Sequence, residues 1–186
     1  MPRRHVERVV EGIRAEIAAQ TIGDATLAQT SFGPLGSAKA MQRVSAYVEQ
    51  ARAEGDQALI GGQRIERDGF FFEPTLFLCQ PGSTLVREEV FGPVAAVLAY
   101  DSIDEAVQLA NSSKYGLSSG VFTQNLDEAL RIADALDVGN VWVNGFGLID
   151  PSLPWGGIKA SGHGRENGID ALKPMCYEKA LTIQFN

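Results

Sequence analysis

The chain has 186 residues, a formal net charge of −7 at pH 7 and two cysteines. A hydrophobic content of 45% is ample for a core, and the length suits one domain or a large piece of one. The acidic balance and scattered basic residues argue against nucleic acid or an anionic membrane as the main partner, and no apolar run approaches the roughly 20 residues of a membrane span. Arg3-Arg4 precedes a charged amphipathic segment and not an apolar stretch, so no secretory signal is expected. Cys79 and Cys176 have no metal-ligand spacing and imply no disulfide framework, which fits a reducing cytoplasm.

Val6, Val9, Val10, Ile13 and Ile17 recur at helical spacing, and this helix must pack on something later in the chain. Residues 21–36 carry Gly, Asp, Thr, Ser and Pro and read as a loop. Ser37 is an N-cap for a second helix with Met41, Val44, Tyr47, Val48 and Ala51 inward and Gly55 at its end. Residues 58–60 form a short strand closed by Gly61-Gly62. Residues 70–78 read as another, interrupted by Pro74, so that residues 70–73 lie at an edge or bend. Strand and helix then alternate. Residues 94–100 are a strand, and Ser102 and Glu105 form a capping box before a helix with Ile103, Ala106, Val107 and Ala110 inward. Residues 119–123 are a strand. Asn125 and Glu128 cap a helix with Leu126, Ala129, Leu130, Ala133 and Leu136 inward, and residues 138–144 are a strand. This order predicts an α/β fold, a parallel-stranded sheet with flanking helices joined by right-handed crossovers. Residues 144–168 are rich in Gly, Pro and Ser and form a loop of the kind that carries binding residues on α/β scaffolds. Leu181, Ile183 and Phe185 alternate with polar residues as a terminal strand.

The stretch REEVFGPV at 87–94 holds the most chemistry. A carboxylate is acceptor-only with two oxygens, so one Glu can hold both hydroxyls of a ribose, and a Phe two residues on gives a wall for a flat ring. The same residues also read as a solvated turn followed by a core aromatic. Gly162-His163-Gly164 begins like a dinucleotide loop, but Asn167 stands where the third Gly belongs and no strand precedes it. His5 and His163 lack companions at ligand spacing, so no metal site is expected.

Four blocks carry a family resemblance: EEVFGPV at 88–94, YGLSSGVFT at 115–123, GNVWVN at 139–144 and PWGGIKASGHGRE at 154–166. Their order and spacing resemble the aldehyde dehydrogenase superfamily from about Phe32 onward, downstream of its nucleophile; residues 32–35 resemble the loop leading into its substrate domain. The resemblance implies a catalytic-domain-like fold over residues 1–176, with residues 177–186 as a C-terminal oligomerisation strand. It places Glu89 at the nicotinamide ribose of NAD or NADP and Phe91 beside the ring. Trp155 falls in the wall of the aldehyde tunnel, and Leu148 and Ile149 at its mouth. Family chemistry resembles thiolate attack on an aldehyde, hydride transfer to nicotinamide and thioester hydrolysis. Neither Cys79 nor Cys176 stands in the nucleophile's context, so the resemblance implies no catalytic residue here. The expectation is the C-terminal portion of an NAD(P)-dependent aldehyde dehydrogenase, inactive alone and binding NAD or NADP weakly or not at all by itself. The alternative is a non-catalytic module that assembles with itself through the terminal strand, or with a chain carrying the nucleophile.

Overall fold

The computed structural model describes residues 1–185 and divides into two units, Met1–Ala106 and Val107–Asn186. In the first, helix α1 (Val6–Ala18), helix α2 (Ala38–Ala53), strand β1 (Gln57–Ile60), strand β2 (Thr75–Leu78), the single-turn helix α3 (Thr84–Arg87) and strand β3 (Val94–Val97) follow in order. The strands form one sheet, β1-β2-β3, with β1 antiparallel and β3 parallel to β2. Side chains alternate across a strand, and β2 uses both faces. Phe77, with Cys79 just beyond the strand, packs with Met41, Val44, Val48 and Ala51 of α2, whereas Leu76 packs with Val10 of α1 and Val97 of β3. The unit is therefore three layers: α1, sheet, α2.

Local signals set these elements. The Ser37 hydroxyl accepts from the Ala40 N–H at 3.1 Å and starts α2, whose expected inward residues are buried except for the half-buried Tyr47. Pro74 confines β2 to the residues after it, and Phe72 before it makes only an antiparallel bridge to Arg64. Behind β2 lies a buried polar knot. The Asp56 carboxylate accepts from the Gln80 N–H at 3.0 Å and from the Ser83 hydroxyl through a short bond. Among the described residues no buried side-chain polar atom lacks a partner.

Helix α4 (Ile103–Asn111) spans the boundary between the units. Its cap works as expected on one side, with the Glu105 N–H donating to Ser102 at 3.1 Å; the reciprocal carboxylate reaches the Asp101 N–H instead of that of Ser102. The second unit continues with strand β4 (Tyr115–Gly116), strand β5 (Ser118–Val121), helix α5 (Leu126–Ala135), strand β6 (Asn140–Val143) and strand β7 (Ile158–Lys159). Strands β5 and β6 are parallel and joined through α5, the expected crossover unit, while β4 and β7 are antiparallel.

Two expectations are corrected. The strands form three small sheets, and two of the four pairings are antiparallel, because alternation of strand and helix fixes order but not partner. On α5, Ala129 is buried and Leu136, just beyond it, is too, yet Leu126 and Leu130 are exposed at 68% and 59%; on α4, Ala110 is exposed. The terminal-strand expectation concerns pairing with another copy: within this chain residues 181–185 pair in no ladder among the described residues, and Leu181, Ile183 and Phe185 are exposed; Asn186, the last residue of the expected strand, lies outside them. No helix among the described residues is long and apolar enough to cross a membrane.

Candidate functional site

The turn between α3 and β3 is bound to α2 residue by residue. Val90 is buried in the cluster that holds Val44 and Phe77. Gly92 lies so close to α2 that a Cβ there would come within 2.5 Å of Val44 Cγ2, so no side chain fits without displacing that of Val44. The Arg43 guanidinium donates to the Val90 carbonyl from Nε at 3.2 Å and to the Phe91 carbonyl from Nη2 at 3.1 Å. Beyond the turn, the Thr75 N–H donates to the Pro93 carbonyl at 2.8 Å and sets the register of β3 on β2.

What this clamp leaves outside is the expected pair. Phe91 is 76% exposed and holds φ +50°, a left-handed conformation that is an outlier for a bulky residue. It is therefore not the core aromatic of the alternative reading. Glu89 is exposed, and its carboxylate has no hydrogen-bond or ion-pair partner among the described residues. Beside the turn, Gly92 and Pro93 share a hollow of about 300 Å³ with residues 32–35 and Phe72, so the loop singled out at 32–35 does meet this turn.

The other three expected residues come together in the second unit. Trp155, Leu148 and Ile149 line one hollow of about 480 Å³ with Trp142, Asp150 and Leu153. The Trp142 and Trp155 rings are 5.5 Å apart between centroids, and Phe146 lies 5.0 Å from Trp142 on another side. The loop is held at several points. Trp142 Nε1–H donates to the Leu148 carbonyl at 2.7 Å, and Trp155 exchanges both backbone bonds with Glu166 at 2.7 Å. Gly139, just before β6, lets the Gly156 backbone approach, since a Cβ there would stand 1.8 Å from the Gly156 carbonyl oxygen. The Ser152 N–H and hydroxyl donate to Asp150 at 2.9 and 2.7 Å and hold its carboxyl below the usual carboxylate range.

Sequence reasoning missed Arg43 and the pairing of Trp142 with Trp155. An Arg beside an inward Val on a helix carries no motif, while a Trp on the face of β6 opposite its valines was a usable signal. As for the thiols, Cys79 is buried, and burial, reinforced by the neighbouring Asp56 carboxylate, pushes it up to about 12. A nucleophilic thiolate needs the opposite environment. Cys176 is exposed, in the segment before the tail. No group of three metal-ligating side chains occurs among the described residues.

Comparison with known proteins gives a consistent answer. The chain is 40% identical over 175 residues to a betaine aldehyde dehydrogenase of Rhizobium leguminosarum bv. trifolii (strain WSM2304), covering 92% of this chain and 36% of that one. Among solved structures, an aldehyde dehydrogenase from Bacillus cereus described as an NAD+ complex superposes with a TM-score of 0.88 at 41% identity, covering 92% of this chain and 35% of that one. A betaine aldehyde dehydrogenase from Staphylococcus aureus in complex with NAD+ matches with a TM-score of 0.88 at 36% identity, covering 93% and 35%. The chain thus spans about a third of the length of these relatives. The aldehyde dehydrogenase family pattern matches residues 1–181, reaching back past Phe32 through α1, and the chain belongs to that family.

Proposed function

We propose that this chain is the C-terminal catalytic-domain portion of an NAD(P)-dependent aldehyde dehydrogenase, acting in the cytoplasm, that it supplies the nicotinamide side of the site and a wall of the aldehyde tunnel, and that it does not turn over alone. The observation that carries this is the presentation of Glu89 and Phe91: a free carboxylate and an exposed ring on a turn whose other residues are clamped. These two side chains suit the ribose and nicotinamide end of NAD or NADP, which supplies the hydride acceptor when bound. Glu89 would accept from the two ribose hydroxyls and Phe91 would flank the ring. The NAD+ complexes of the Bacillus cereus and Staphylococcus aureus relatives support this cofactor class. One carboxylate and one ring offset little of the cost of immobilising a dinucleotide, so binding by the chain alone is weak. The nucleophile and general base are assigned to groups outside these 186 residues, since Cys79 is held protonated in the core.

The tunnel wall supports a cationic aldehyde. Two indole rings 5.5 Å apart beside the ionised Asp150 attract a quaternary ammonium through cation–π and Coulomb terms, and two relatives are betaine aldehyde dehydrogenases. Choline should quench tryptophan fluorescence, and its neutral isostere 3,3-dimethylbutanol should not. Equal quenching by both removes the cationic preference. For the main reading the measurement is NADH production from betaine aldehyde and NAD by the purified chain. Steady turnover would overturn it.

A second reading, an oligomerisation module, is favoured by the tail. Leu181, Ile183 and Phe185 alternate and are exposed, the form of an unpaired edge that recruits another strand. On this reading residues 1–176 are the partial catalytic domain and residues 177–186 pair with another copy. Deleting the residues after Tyr177 should then lower the mass read by light scattering.

A further inference from the structure

Two consecutive residues of α2 hold three consecutive residues of the cofactor turn. Arg43 reaches the carbonyls of Val90 and Phe91, and Val44, fully buried, packs with Val90 and seats the bare Cα of Gly92. Those two carbonyls stand on either side of the Phe91 Cα, so bonding both restrains its φ and ψ together. A bulky residue keeps a left-handed conformation only where its surroundings over-determine it. Val44 fixes the residues on either side of Phe91, and Arg43 bonds the two carbonyls that flank its Cα, while its ring is in solvent. We propose that Arg43 is the positioning residue of the nicotinamide half-site: its planar fork locks the Phe91 backbone so that the ring and the Glu89 carboxylate are presented together. The role rests on the cofactor reading given above. It also depends on guanidinium geometry. Nε and one Nη form parallel donors on one edge, which a lysine ammonium does not reproduce.

The test is NMR on the isotopically labelled chain, with Arg43→Gln and Arg43→Lys, using nicotinamide mononucleotide as the probe. The Phe91 HN–Hα coupling and intraresidue NOE report its left-handed backbone without any ligand. Both variants should lose that signature and stay folded, their thermal transitions falling by no more than about 2–4 °C, because the Arg43 side chain is exposed and leaves no cavity. The half-saturation for shifts at Glu89 and Phe91 should rise about fivefold, the effect of losing bonds worth about 1 kcal/mol. Should Arg43→Gln fail to fold, Arg43→Lys carries the same readouts. An unchanged Phe91 signature overturns the proposal, as does an unchanged response to the mononucleotide. A parent chain that shows no shift at Glu89 or Phe91 overturns the cofactor reading, and with it the role of Arg43 toward a ligand, even if the signature arm finds the clamp intact.

Discussion

The two units use apolar residues in opposite ways. Of the sixteen buried hydrophobic residues found among the described ones, thirteen lie in Met1–Ala106; of nineteen large hydrophobics left exposed, sixteen lie in Val107–Asn186. The first unit closes a core between α1, its sheet and α2. The second makes amphipathic elements as regular as the first, yet Leu126, Leu130, Phe122 and Phe146 remain largely exposed. The chain spans about a third of the length of its relatives. Helix formation therefore follows the local pattern in both units, while burial depends on what packs against each face.

The largest effect expected from this contrast is in the first unit. Phe77→Ala, at a fully buried site, should cost about 3–5 kcal/mol in denaturant unfolding. Leu130→Ala on α5 should stay within about 0.5 kcal/mol. A cost for Leu130→Ala near that of Phe77→Ala would break the comparison, because the α5 face would then be covered in solution. Next in size is Asp56→Ala. It strands the buried Ser83 hydroxyl and removes the acceptor of the part-buried Gln80 N–H, which should cost about 1–3 kcal/mol by the same measurement.

How much of this was legible in the sequence follows the same division. Caps and stripes were readable where the answer is local: Ser37, the Ser102–Glu105 pair and Asn125 all receive the backbone N–H expected of them. Strand pairing was not, since β1 and β3 flank β2 in opposite directions and nothing in their side-chain alternation encodes that. The inward stripe of α5 was read from spacing, and spacing cannot report that Leu126 and Leu130 stay exposed. Within the candidate site, Glu89, Phe91 and Trp155 were visible because their neighbours form recognisable blocks. Arg43 was invisible because its role lies in reaching two carbonyls 47 and 48 residues away. Trp142 needed only one more step, since its partner was already singled out.

Two titrations sharpen the contrast at its smaller scale. Cys79 sits on the core side of the first unit, and Cys176 lies exposed in the second. At pH 8 a disulfide reagent such as DTNB should find one thiol in the folded chain and two in urea. Two reactive thiols without denaturant would mean that the core around Cys79 opens readily. The folded thiol, at about 12, lies above its ordinary value of 9.0. Its protonated form is favoured by folding, so that contribution is complete below pH 9 and disappears as pH rises through 12. Cys79→Ala should flatten the alkaline loss of stability over that window relative to the parent chain.

The smallest effect is at Glu54, beyond the end of α2. Its carboxylate accepts from Gln50 Nε2 at 2.9 Å, from the Thr84 N–H at 2.8 Å and from the Thr84 hydroxyl at 2.5 Å, and these bonds, that from Gln50 first, lower it from 4.5 to about 2. A carboxyl lowered by folding contributes stability above its unfolded value, so the contribution is present above pH 4.5 and is lost as pH falls through 2. The group is fully exposed to water, and the change in the unfolding curve should be slight. A carbon-detected titration of the Glu54 carboxyl reads it directly, and a midpoint near 4.5 would mean that Thr84 is not held in solution. The site matters because Thr84 begins α3, which leads into the Glu89–Phe91 turn. Acid should therefore loosen the entrance to that turn from the α3 side, whereas the Arg43 clamp on the other side joins a guanidinium to carbonyls and involves no carboxylate. A Phe91 signature that persists at pH 3 while the Glu54 bonds to Thr84 weaken would separate the two attachments of the turn.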